Sequence, residues 1–187
     1  MMTAHQAPRT TIAAARLQAF GATAFTRAAV LVNLHGQMER PMWLRLVGEL
    51  WTTTEGDKRE LVRLMRTYDD WAPMMLRHES RAWSALPEWF QSWRGCYQGF
   101  NEDGPSYTTD RDEARDCPFL ARYRMAGMVP LLRSVWVNRA DCIVKMDRGK
   151  AEILARVVNE WDRMQLDRSV SLTAFAGTPN LPMSAWP

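Results

Sequence analysis

The stretch SWRGCYQGFNEDGPSYTTDRDEA, Ser92 to Ala114, sets an Arg behind a Trp, then a run of turn residues, then a Ser-Tyr-Thr-Thr run that opens an acidic segment. Gly95, Gly99, Gly104 and Pro105 supply the turns. With the moderate alternation of EWFQSWRGC, the stretch reads as short strands leading into a helix. Asp110 and Glu113 have capping-box spacing for a helix that begins near Arg111, and Pro118 must end it or start another turn. Downstream, LLRSVWVNR carries Val135 and Val137 on one face with Trp136 between them, the pattern of a further strand.

Upstream the texture is helical. The first segment, TIAAARLQAFGATAFTRAAVLVNLHG, is Ala-rich and free of acids, with Pro8 before it and Gly36 after it as helix punctuation. It reads as a packed terminal helix. Its composition also resembles an organellar transit peptide, while Arg16 and Arg27 interrupt any signal-peptide core. PMWLRLVGELW can start a helix at Pro41. In DKRELVRLMRTYDDW, Leu61, Leu64, Met65 and Tyr68 form a buried stripe, with Asp57 and Glu60 in capping-box spacing. A third helix covers PMMLRHESRAWSAL and ends before Pro87, with Met74, Met75 and Trp83 as core filling.

The order helix, helix, helix, strand, strand, helix, strand predicts an α+β fold, its helices packed on a small, mostly antiparallel sheet. Residues 1–38 form a basic Ala-rich segment, 39–86 a helical support, 87–160 the α+β region and 161–187 a helix end with an irregular tail. The length of 187 residues suits one core over 39–187.

Composition removes several function classes. Before Glu39 the chain has Arg9, Arg16 and Arg27 and no acid, and the remainder balances, 21 basic residues against 21 acidic. Broad electrostatic binding of nucleic acid needs a basic stripe, so nucleic acid is the less favoured partner. No apolar run approaches membrane-spanning length. Cys96, Cys117 and Cys142 lack Cys-x-x-Cys spacing, and His5, His35 and His78 are scattered, so neither a disulfide framework nor a metal site is indicated and a reducing cytoplasm fits. Walker loops and nucleophile elbows are absent from the sequence.

Taken together, WRGC, GPSYTTDRDEA and DRGKAEIL resemble the Arg-Ser-Glu class of ADP-ribosyltransferase-fold proteins, with an aromatic-Arg-Gly strand, a Ser/Thr strand leading into a helix, and a later Glu. The sequence is also similar to a family of small phage-encoded proteins with helices ahead of such a strand. The resemblance spans about Trp43 to Ala155 and is strongest from Leu86 to Ala114. It implies NAD as substrate and a mono-ADP-ribosyltransferase or NAD glycohydrolase acting on a host macromolecule in the bacterial cytoplasm. The alternative is a catalytically inactive scaffold that binds a host protein, such as an inhibitor of a defence complex.

By that resemblance Arg94 grips the NAD phosphates, a role suited to a permanently charged donor fork. Read from the residues alone, Arg94 is a surface arginine paired with Asp103 or Asp112. Ser106 or Thr108 supports the nicotinamide ribose and braces the catalytic acid. Thr109 or Asp110 also reads as a helix cap. Glu152 stabilises the oxocarbenium-like transition state, and Trp93 and Tyr107 wall the cleft on which these residues converge. Lys150 stands where the class usually carries a first acid.

One segment gives two readings. Ile153, Leu154, Val157, Val158, Trp161 and Met164 have helical spacing, whereas the resemblance requires a strand at Glu152. A short strand passing into a helix near Val157 reconciles them.

Overall fold

The computed structural model describes residues 10–121, 123–147 and 150–166. Trp186 and the irregular tail from residue 167 onward lie outside the described residues. The chain divides into two compact units, residues 1–76 and 77–187. Among the described residues it is α+β, with six α-helices and two small antiparallel sheets. Among the described residues no helix is long and apolar enough to cross a membrane.

The first unit contains α1 (Ile12–Gly21), α2 (Arg27–Leu34), α3 (Arg40–Leu50) and α4 (Arg59–Met65). The Ala-rich segment is two helices rather than one. Gly21 ends α1, and Arg27 turns back to donate to the Ala19 and Ala22 carbonyls at 3.1 Å each, satisfying groups that a helix end leaves open. Pro41 sits in the first turn of α3, where its missing N–H costs nothing. Asp57 Oδ1 accepts from the Arg59 N–H at 2.9 Å ahead of α4. The expected stripe is buried at Leu61, Met65 and Tyr68, with Leu64 half-buried. Trp43, fully buried, stacks on Tyr68 at 5.7 Å and donates its Nε1–H to the Leu31 carbonyl at 2.7 Å. Tyr68 Oη is 2.7 Å from His35 Nε2, which closes this aromatic group.

The second unit begins with α5 (Arg77–Ser84), shorter than the sequence suggests because a separate 3-10 turn takes Ala72–Met74. Then come β1 (Trp89–Tyr97), β2 (Ser106–Tyr107), α6 (Arg111–Asp116), β3 (Pro130–Asn138), β4 (Cys142–Asp147), β5 (Lys150–Ala155) and β6 (Asn159–Gln165). The strand orders are β1-β3-β6 and β2-β5-β4. A backbone pair between Trp93 and Thr108, bonded both ways at 2.8 Å, joins the two sheets.

The helical spacing from Ile153 to Met164 is overturned: both halves of that segment are strands. Ile153 pairs with Val144 on one side and Tyr107 on the other, while Met164 pairs with Leu132. Partners on both sides of β5 outweigh a local helical pattern, since propensity yields to tertiary pairing. The region expected to end at residue 160 therefore continues through β6, and no helix end follows residue 161 within the described residues.

The core of this unit lies between the two sheets. Phe90, Val135 and Val137 meet Tyr107, Val144 and Ile153, with Leu86, Cys142 and Ala155 completing the cluster. Trp83 packs against it from α5 and donates to the Arg139 and Cys142 carbonyls at 2.9 Å each.

Candidate functional site

Period-two alternation assigns the two sides of β1. Trp89, Gln91 and Trp93 share one side, and Phe90, Ser92, Arg94 and Cys96 the other. Following Trp93 sideways, the register pairs it with Ser134 and Ser134 with Asp162, and in the other direction with Thr108. Thr108 follows β2 directly, so continuing the Tyr107–Ile153 register one step places it level with Glu152 of β5, and Glu152 pairs with Lys145. Asp162, Ser134, Trp93, Thr108, Glu152 and Lys145 thus follow one another as a polar row across five strands and the bridge residue Thr108. Trp93, Thr108 and Glu152 are brought together on it, with Ser106 on the same side of β2 as Thr108.

Thr108 is held at the entrance to α6. Its Oγ1 accepts from the Asp110 N–H at 3.1 Å and donates to Glu113 Oε2 at 3.2 Å. Glu113 Oε1 in turn accepts from Lys150 Nζ at 2.5 Å. Asp110 caps the helix, accepting from the Asp112 and Glu113 N–H groups at 2.9 and 3.0 Å, as its spacing implied. The sequence signal at Glu113 was a cap; its side chain reaches Thr108 and Lys150 instead. Gly95 of the aromatic-Arg-Gly triplet has a packing cause: a Cβ there would overlap the Ala114 carbonyl oxygen, so only glycine lets α6 approach β1 this closely.

Arg94 and Tyr107 occupy the other side. Tyr107 is buried in the core between the sheets. Arg94, 8% exposed, donates Nε and Nη2 to the Asn101 carbonyl at 3.0 and 2.8 Å and Nη1 to the Ser106 carbonyl at 2.6 Å. Neither Asp103 nor Asp112 pairs with it among these contacts. Gly104 lies against the guanidinium, where a Cβ would collide with it. Arg94 thus braces the 98–105 turn and β2 from behind the polar row.

Two more arginines extend that second row, since Arg94 pairs with Arg133 and Arg133 with Arg163. The turn and β6 supply the counter-charges: Arg163 meets Glu102 Oε2 at 3.0 Å, and Arg133 meets Glu160 Oε2 at 3.3 Å and donates to the Glu102 carbonyl. Desolvation pushes the Glu160 carboxyl up, and the hydrogen bonds and charges of Arg133 and Arg163 together outweigh it, leaving the group below its ordinary range. Nothing in the sequence announced this row, because its members are far apart in the chain and each is an ordinary residue by itself.

Beside Trp93 the polar row opens into a cavity of about 170 Å³ lined by Gln91, Trp93, Arg111, Ser134, Trp161 and Asp162, with Leu132 and Met164 behind. Trp161 and Trp136 meet edge to face at 6.4 Å and are 70% and 37% exposed. No cluster of three His, Cys, Asp or Glu suited to a metal ion occurs among the described residues. No family model, curated protein or solved structure matches the chain.

Proposed function

We propose that the chain is an NAD-dependent mono-ADP-ribosyltransferase of the phage-encoded type, or the related NAD glycohydrolase, acting on a host macromolecule. The observation that carries this reading is strand adjacency. The Arg strand β1, the hydroxyl strand β2 and the acidic strand β5 are neighbours in that order, with Thr108 between Trp93 and Glu152. Trp93, Thr108 and Glu152, one residue from each motif, lie along one side, while Arg94 faces the other and braces β2 from behind.

The chemistry follows from charge. As the bond between nicotinamide and ribose breaks, its electron pair leaves with the ring nitrogen and positive charge develops on the ribose. The Glu152 carboxylate stabilises that charge, and Thr108, with one hydrogen bond to Glu113, orients the ribose. Trp93 supplies a flat wall. Arg94 serves as a positioning residue, because its three nitrogens hold the Asn101 and Ser106 carbonyls and so fix β2. The cavity of about 170 Å³ is below the ~300–1,000 Å³ of pockets that enclose a whole ligand, so NAD lies across the open face with one ring inside.

The inactive-scaffold reading, a host-protein binder or defence inhibitor, is favoured by one observation: the Arg94 guanidinium is turned to backbone carbonyls rather than toward the polar row. Incubation with nicotinamide-labelled and adenylate-labelled NAD in host lysate separates the two. Nicotinamide release that Glu152→Gln abolishes supports the enzyme. Equal absence of release from both proteins, at saturating NAD, leaves the scaffold reading in its place.

A further inference from the structure

We infer that the cavity beside Trp93 is a binding site for the base of a nucleotide, with the phosphate directed to Arg111. This deepens the reading above and rests on it where the base is NAD's own; it shares Trp93 with the cleavage face and adds side chains on β1, β3, β6 and the first turn of α6.

The walls are aromatic on two sides. Trp93 rises from β1 and Trp161 from β6, with β3 between them, so their strands stand roughly 9.6 Å apart. Two indoles bordering one cavity offer apolar faces to a flat ring.

The floor carries the complementary polar groups. Gln91 Nε2 donates to Ser134 Oγ at 2.6 Å, which leaves the Ser134 hydroxyl hydrogen and the Gln91 carbonyl oxygen directed to other partners. Asp162, whose Oδ1 accepts from the Arg163 N–H at 2.7 Å, adds a second acceptor. A hydroxyl donor, an amide and a carboxylate side by side match the mixed donor and acceptor edge of a nucleobase. Arg111 is the one cation on this lining, suited to a phosphate attached to the base. Trp136 and Trp89, 37% and 48% exposed on the same side of the sheet, continue the aromatic surface outward. Large exposed aromatics in a row on one sheet face are unusual for a surface with no ligand.

Titration calorimetry of the full chain with AMP, GMP, CMP and UMP tests the assignment. At least one nucleotide should bind saturably. Trp161→Ala should weaken it by roughly tenfold or more, and Trp161→Phe should restore most of the affinity. Because Trp161 is 70% exposed, the truncation leaves the fold in place, which the far-UV spectrum checks. Glu152→Gln should leave nucleotide binding unchanged, so failure of NAD cleavage and failure of this site are read separately. Competition identifies the source of the base: mutually exclusive binding of NAD and the mononucleotide assigns the site to the adenylate half of NAD, and simultaneous binding assigns it to a second nucleotide. Absence of binding by all four nucleotides, or binding indifferent to Trp161→Ala, overturns the inference.

Discussion

Lys145 Nζ lies 2.7 Å from Glu79 Oε2, and both side chains are only 2% exposed. The same carboxylate uses Oε1 to accept from the Met146 N–H at 2.9 Å, so α5 closes the outer edge of β4 with one residue. Lys145 also pairs with Glu152, which ties this buried pair to the polar row. Lys145→Met should cost about 3–5 kcal/mol, because it strands a carboxylate away from water. Combining it with Glu79→Gln should recover most of that loss, since the amide oxygen still accepts from Met146. Urea denaturation of the wild type and the two variants reads the difference. Equal stability of the single and double variants would show that the stranded charge is not what costs the fold.

Gly95→Ala should destabilise the second unit by about 3 kcal/mol or more, because the added methyl meets the Ala114 carbonyl, which is backbone and cannot swing aside. Gly36→Ala is the control. Nothing lies within 4 Å of a Cβ there, and its φ is not positive, so it should be neutral or stabilising by about 0.4–1 kcal/mol. Similar losses at both positions would remove the packing explanation for the Trp-Arg-Gly triplet.

The α+β class, the α6 cap at Asp110 and the stripe at Leu61, Met65 and Tyr68 were legible because each rests on spacing within one element. What failed rests on partners. Ile153, Val157 and Trp161 repeat as a helix does, and only pairing with Val144 and Tyr107 makes a strand at Ile153. Trp93 and Thr108 could be nominated from sequence, but their pairing across the two sheets could not. Arg94 reads from sequence as a phosphate grip or a surface arginine, and neither reading anticipated its burial; which face it takes follows from the parity of β1, fixed by Phe90 entering the core. Glu79 drew no reading from sequence, because nothing in its own helix marks it and its partner is 66 residues away.

Acid should loosen the first unit through Glu49. Hydrogen bonds from Arg16, then desolvation in the opposite sense, then the charges of Arg16 and Arg45 leave its carboxyl below the ordinary range. A depressed carboxylate contributes stability that is full above its unfolded value, about 4.3, and fades as pH falls through the lower folded value. Glu49→Gln should therefore lower stability at neutral pH and flatten its decline below about pH 4.3, measured by urea midpoints across pH. An unchanged slope would assign the acid response to other carboxylates.

The three cysteines should differ in reactivity. Burial pushes the Cys142 thiol up to about 12, and burial also raises Cys96, whereas Cys117 is only half-buried. Native protein treated with iodoacetamide near pH 8 should carry label first at Cys117, with Cys96 and Cys142 labelled only on unfolding. Peptide mapping by mass spectrometry checks the order, and early labelling at Cys142 would show that β4 opens in the native state.

Arg94 distinguishes bracing from ligand capture. Its nitrogens bond the Asn101 and Ser106 carbonyls, and Gly104 packs on its face, so its removal should release the 98–105 turn whether or not NAD is present. Arg94→Lys keeps the charge but not the planar fork, and one ammonium cannot reproduce three donors in that geometry. Both Arg94→Ala and Arg94→Lys should lose about 2–4 kcal/mol and show faster amide exchange from Asn101 through Tyr107, with Ala the worse. A phosphate-gripping Arg94 would give a different pattern: intact exchange protection without NAD, and a weakened KM that Lys partly restores. Because the turn also carries Glu102, which meets Arg163, and the Glu102 carbonyl that takes Arg133, loosening should reach β6 as well. Exchange protection at Arg163 that stays at the wild-type level in Arg94→Ala would confine the brace to β2 and the turn.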